Sequence, residues 1–216
     1  MLDLLVIGAG MAGLSAALTA ADAGLTVQLI AKGQSATHWH TGAVDLLGYL
    51  PGQEQPVSSP LSSLSALGAD HPYRRLGAQR VAAAVASLQG WLAEEGIAYG
   101  GAGVDGENLC LPSPVGAARP TYLAPVGQQA GDLSRRDPLL IVGFTGLRDF
   151  FPELIAENLA KQGHAARAGF LPLTTITDRR DFTTVQLAAA LDAPGASVRL
   201  AAALKPLVRP GERVGL

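Results

Sequence analysis

The chain opens on a short unbroken apolar run, residues 2–7, cut by Gly8. A run of that length followed by glycine predicts a buried β-strand. Residues 8–13 then read as a glycine turn, and the Ala- and Leu-rich residues 14–23 as a helix stopped by Gly24. Residues 25–30 form a second apolar run, and the crossover length between the two runs makes them parallel neighbours in a βαβ unit. From residue 32 to 48 the pattern is polar and irregular, and the Pro, Gln and Ser stretch at 51–60 predicts a surface loop. Helical spacing returns with Val81, Val85, Leu88 and Leu92, predicting a helix over residues 80–95 stopped by Gly96. Residues 100–138 are dense in Gly and Pro, with only short strand-like pieces, and mark an insertion. A second strand, turn and helix follow at 139–144, 145–148 and 149–162, and further helices are predicted at 186–191 and 198–208.

This order of elements predicts an α/β fold. A Rossmann-like parallel sheet begins in the N-terminal βαβ part (residues 1–50), an irregular insertion occupies 51–138, and a second α/β lobe occupies 139–216. With 216 residues the chain has room for one domain or one and a half, and no fixed-period repeat divides it.

Composition narrows the function classes. A net charge of -2, with no Lys and Arg run interleaved with aromatics, argues against a nucleic-acid partner. The single cysteine, Cys110, can form neither an internal disulfide nor half of a metal-ligand pair, which favours a reducing compartment, the cytoplasm. The first apolar run lacks a basic leader and a cleavage site, and no segment approaches the roughly 20 apolar residues of a membrane span. Any membrane association is therefore expected through a partner.

Gly8, Gly10 and Gly13 form G-x-G-x-x-G directly between a strand and a helix, the context in which this motif binds a dinucleotide phosphate. Gly8 permits the turn, Gly10 lets backbone approach a pyrophosphate, and Gly13 lets helix and strand pack closely. The amides at the helix start, those of Met11, Ala12 and Gly13, then face the phosphates. Such a site normally carries Asp or Glu at the end of the second strand to hold ribose hydroxyls. Ala31 stands there instead, followed by Lys32. This reads equally as functional, with Lys32 a phosphate partner or the ligand lacking an adenosine ribose to hold, and as a solvated strand-end cation. Either way an ordinary NAD site is disfavoured.

The segment Gly33, Gln34, Ser35, Ala36, Thr37, His38, Trp39, His40, Thr41, Gly42, Ala43, Val44, Asp45, Leu46, Leu47 resembles the corresponding segment of the B-subunit family of anaerobic glycerol-3-phosphate dehydrogenase. The resemblance continues through His71-Pro72-Tyr73, Gln79-Arg80-Val81 and residues 141–150; its discriminating parts are Gly33-Gln34-Ser35 and the set Val142, Gly143, Gly146, Leu147, Asp149 and Phe150. It implies a flavoprotein component with FMN as cofactor and FAD as the alternative. It further implies two partners, the catalytic A-subunit and the membrane-associated iron–sulfur C-subunit. The implied reaction oxidises sn-glycerol 3-phosphate to dihydroxyacetone phosphate and passes electrons to quinone, on the cytoplasmic side of the inner membrane. Members of that family are longer, so the flavin domain is expected to be incomplete within these residues.

The loop after the second strand of such folds runs past the flavin. Lys32, Gly33, Gln34, Ser35, Thr37, His38, Thr41 and Gly42 are accordingly its candidate cofactor contacts. Ser35, Thr37 and Thr41 offer hydroxyl donors, and Gly42 a close approach. His38 and His40 read either as groups near a flavin or, preferably, as packing and hydrogen-bonding residues of the loop. No third ligand lies near them to hold a metal. The turn at 143–146 reads as a second phosphate site or, preferably, as a plain strand-to-helix connection. Arg148, Arg179 with Arg180, and Arg135 with Arg136 read equally as phosphate contacts and as surface charges. No catalytic acid or base is named. Two rivals stand beside the flavin reading: a flavin-free scaffold protein, and a nicotinamide-dependent oxidoreductase.

Overall fold

The computed structural model describes residues 1–33, 35–101, 106–178 and 182–216. Strands β1 (Leu4–Ile7) and β2 (Val27–Ile30) pair in parallel, Leu4 opposite Val27 and Ile7 opposite Ile30, as the crossover length requires. Helix α1 (Met11–Asp22) joins them and ends where Gly24 adopts a φ of 82°. It begins three residues earlier than its apolar pattern indicates, because Gly10 already acts as its N-cap. In this unit only Val6 is buried; Leu5, Ile7, Leu14 and Leu18 remain exposed.

The stretch at 51–60 is an exposed loop through Pro56, as expected, and turns inward only at its end. Val57 and Pro60 are buried, and Val57 packs with Leu47, Leu64, Leu67 and Val81. Apolar burial thus overrides the polar composition around it. The short helices α2 (Pro60–Ser63) and α3 (Pro72–Leu76) lead into α4 (Ala78–Glu94), which buries Val81 and Val85. His71 of the resemblance caps α3, its Nδ1 accepting from the Tyr73 amide at 3.2 Å.

The Gly- and Pro-dense region forms two antiparallel ribbons and one helical turn. Strands β3 (Tyr99–Gly101), β4 (Leu109–Pro112), β5 (Ala118–Thr121) and β6 (Leu123–Pro125) pair as β3 with β6 and β4 with β5, and α5 (Val126–Gln129) follows. Beyond them lie β7 (Leu139–Thr145), α6 (Pro152–Lys161), β8 (Ala166–Pro172), α7 (Thr184–Leu191), α8 (Ala196–Leu204) and β9 (Arg213–Gly215). The sheet order is β8-β7-β9, with both pairings parallel.

β7 is buried from Leu139 through Phe144 because it is covered on both faces. Leu140, Val142 and Phe144 pack with Leu187 of α7 and Leu200 of α8. Leu139 and Ile141 face the other way, onto Ile155 and Leu159 of α6 and Leu133 ahead of β7. Two expectations need correction here. Gly143 lies inside β7, where a Cβ would sit 2.7 Å from Pro152 Cγ, so it is required by packing and not by a turn. Only Gly146, with a φ of 97°, makes the turn, and α6 starts at Pro152 rather than 149.

β8 and β9 have no counterpart among the predicted elements. β8 is broken in pattern by Arg167 and Gly169, and β9 is three residues long. Each is anchored by an arginine of its own that reaches a neighbouring segment. Arg167 donates to both carboxylate oxygens of Glu212, at 2.6 and 2.7 Å, and Arg213 donates to the carbonyls of Ala130, Asp132, Arg135 and Asp137. Among the described residues no single helix is long and apolar enough to cross a membrane.

Candidate functional site

The glycine turn separates into three distinct physical requirements. Gly8 has a φ of 106°, a backbone that side-chain-bearing residues rarely adopt. A Cβ on Gly13 would overlap the Gly8 carbonyl oxygen, so glycine is needed for the helix to sit on the turn. Gly10 has neither constraint. Its φ of -77° and ψ of 175° suit any residue, and among the described residues a Cβ there would meet nothing nearer than Ser35 Cβ at 3.9 Å. The space above Gly10 is a cradle that a methyl group would partly fill.

Electrostatics favour an anion in that cradle. Among the described residues no side chain caps α1, and its first turn carries no acid. The amides of Met11, Ala12 and Gly13 therefore keep their donor capacity at the positive end of the helix. Met11 and Ala12 are themselves exposed.

The loop predicted to accompany the turn is split between two neighbourhoods. Ser35 stands across from Gly10. Residues Ala36–Trp39 form a 3-10 turn, with Thr37 half-buried and His38 exposed edge-on to Trp39 at 5.0 Å between ring centres. Lys32 and Gly33 are exposed, the latter at a φ of 70°. Gln34 lies outside the described residues, as do Arg179 and Arg180.

Thr41 and Gly42 are instead bound to the insertion. The Tyr99 hydroxyl donates to the Gly42 carbonyl at 2.7 Å, and Gln128 Nε2 donates to the Thr41 carbonyl at 2.7 Å. Val44 then bridges to Leu123. Gly42 has a φ of 82°, and a Cβ there would lie 2.8 Å from the Tyr99 oxygen, so its glycine is required by this seam. His40 Nδ1 accepts from the Gly42 amide at 3.2 Å, which matches the hydrogen-bonding reading of that histidine. Sequence reasoning missed Tyr99 and Gln128; they stand 57 and 87 residues from their partners, and no local pattern marks them.

Two cavities flank the loop. One of about 700 Å³ lies between α1 and α4 and is lined by Met11, Leu14, Thr37, His40, Trp91 and Tyr99. The other, of about 400 Å³, is lined by Thr41, Ser113, Arg119, Gln128, Phe150 and Ile155. Burial pushes the Tyr99 phenol up, so it remains a donor at neutral pH. Burial and the Asp132 carboxylate push the Cys110 thiol up, which makes it a poor nucleophile.

The comparisons with known proteins agree with this geometry. The sequence matches the FAD binding domain family over residues 3–216. The family resemblance is matched by curated relatives, each named as the B-subunit of anaerobic glycerol-3-phosphate dehydrogenase. One from Pectobacterium atrosepticum is 35% identical, covering 89% of this chain and 47% of the relative. One from Yersinia pestis bv. Antiqua is 33% identical, covering 98% and 52%. One from Actinobacillus succinogenes is 33% identical, covering 88% and 47%. The chain spans about half the length of the curated relatives it matches. No solved structure matches it. The matched family is one of FAD, and it lends no support to FMN as the first choice of cofactor. A parallel βαβ unit, an open cradle at Gly10 and a match across residues 3–216 lead to one conclusion: the chain belongs to the FAD binding domain family.

Proposed function

We propose that these residues are the FAD-carrying part of a flavin-dependent component of an anaerobic glycerol-3-phosphate dehydrogenase. The whole protein would oxidise sn-glycerol 3-phosphate to dihydroxyacetone phosphate, with electrons passed to quinone. The observation that carries the flavin reading is Gly10, whose lack of a side chain neither its backbone nor its described neighbours require. A ligand that needs the backbone bare supplies the missing reason. The names of the curated relatives support the substrate and the membership of a multi-subunit enzyme. The catalytic A-subunit and the membrane-associated iron–sulfur C-subunit are the proposed partners, and they would place the assembly at the cytoplasmic face of the inner membrane.

When bound, the flavin supplies the capacity to take a hydride equivalent. The residues of the chain hold and orient it. Gly10, Met11, Ala12 and Gly13 would present backbone to the pyrophosphate, and Ser35, across from Gly10, a hydroxyl, while Gly8, whose amide donates to the Ile30 carbonyl at 2.8 Å, would shape the turn beneath it. Lys32, Gly33, Gln34, Thr37, His38, Thr41 and Gly42 complete the proposed contacts. Tyr99 and Gln128 fix the path of the loop at Gly42 and Thr41. No acid or base is assigned. Ala31 stands where a ribose-binding acid would be, so the adenosine ribose of the proposed FAD would have no carboxylate acceptor at that position.

The test is to purify the chain, release its cofactor by heat and identify it by chromatography. FAD is the expected product. FMN, a nicotinamide nucleotide, or failure to take up added FAD would overturn the assignment.

A further inference from the structure

Arg119 makes a contrast with Arg213. The Nε of each is buried without a hydrogen-bond partner, but the two Nη atoms of Arg213 donate to four backbone carbonyls and so give it an evident structural role. Arg119, on β5, makes no side-chain hydrogen bond among the described residues, and its Nε is buried without a partner. Its one ionic neighbour among them, Asp45, is 3.9 Å from Nη1, too far for a hydrogen bond. A buried donor left unsatisfied is costly, commonly by about 1–3 kcal/mol, and calls for an explanation.

Arg119 borders the cavity of about 400 Å³ on the insertion side of the loop. Phe150, Ile141 and Ile155 give that cavity apolar walls, which strengthen any charge interaction inside it. Polar groups reach it from Thr41 and Ser113. Ser113 Oγ accepts from the Ala117 amide at 2.9 Å and keeps its own proton to donate. Thr41 belongs to the loop that the flavin reading places beside the cofactor, so a ligand held by Arg119 would be bounded by that loop.

We propose that this cavity is a subsite for a small oxyanion, in which the Arg119 guanidinium grips a phosphate monoester or a carboxylate. The planar fork of arginine donors matches either group, and the volume suits a ligand of a few carbons. That the occupant is a substrate rests on the flavin reading. That the cavity binds an anion does not.

Calorimetric titration of the purified chain tests this, run separately on flavin-free and FAD-loaded protein. The probes are sn-glycerol 3-phosphate, inorganic phosphate, glycerate and uncharged glycerol. Binding of a charged probe without binding of glycerol is expected. A phosphate response without a glycerate response assigns the phosphate group, and the reverse assigns the carboxylate. Arg119→Met should weaken binding by at least roughly tenfold, as loss of a charge-assisted hydrogen bond does. Arg119→Lys should restore part of it. Flavin content and melting temperature, read on the same samples, show that both variants are folded. Absence of binding by every anion, or affinity unchanged in a folded Arg119→Met, would overturn the proposal. Anion binding that persists in protein unable to take up FAD would leave the subsite standing and remove the flavin reading.

Discussion

The Tyr99 hydroxyl, on β3 of the insertion, donates to the carbonyl of Gly42 at 2.7 Å and so ties the loop after β2 to a segment 57 residues away. The bond exists only because Gly42 is glycine, since a Cβ would come within 2.8 Å of the same oxygen. A local turn and a distant aromatic are thereby made interdependent.

Tyr99→Phe should cost about 1 kcal/mol of stability by loss of one partly buried hydrogen bond. If the loop contacts the flavin, FAD affinity should also fall, up to roughly fivefold on the same energy scale. Thermal melting and a fluorescence titration with FAD measure the two effects. Unchanged affinity with lowered stability would detach the loop from the cofactor.

Gly10→Ala and Gly13→Ala should part ways. Alanine at 10 fits the existing backbone, so melting of the flavin-free protein should hold steady while FAD uptake is lost. Alanine at 13 drives a methyl into the Gly8 carbonyl and should destabilise the chain by about 2–3 kcal/mol. Melting curves alongside flavin content of the purified variants separate the outcomes.

Leu140→Ala removes a side chain with 0% exposure from β7. A loss of about 3 kcal/mol is expected from transfer and cavity terms together. Urea unfolding should show a lower midpoint with an unchanged slope.

Glu212 is held down to about 2, chiefly by the hydrogen bond from Arg167, with the Arg209 amide and both guanidinium charges assisting against burial. A carboxyl depressed in the folded state contributes stability that is complete above its ordinary value near 4.5 and is lost as pH falls toward 2. Glu212→Gln should therefore be less stable than the parent at neutral pH. The gap between the two should close as pH is lowered from about 4.5 to about 2. Paired melting curves across that range decide it; a gap independent of pH would assign the effect to packing.

What could be read from the chain alone was what depends on neighbours in sequence. Strand, glycine turn, helix and strand at the N-terminus follow from apolar runs and from glycine's conformational range. Their parallel pairing follows from the length of the crossover. The helix over residues 80–95, found as Ala78–Glu94, follows in the same way from its spacing. The motif at Gly8, Gly10 and Gly13 was visible too, though not that each glycine answers a different constraint.

Tertiary structure decided the rest. β8 and β9 are strands because β7 offers hydrogen bonds on both edges, and because Arg167, Glu212 and Arg213 pin the chain there. Their own residues carry little strand signal. Pro60 and Val57 are buried because apolar neighbours from Leu47 to Val81 close over that region. Tyr99, Gln128 and Arg119 become part of the site only when the insertion folds onto the loop. Periodicity reports on which face of an element is apolar, whereas the meeting of residues 57 and 87 positions apart is settled by how the elements pack.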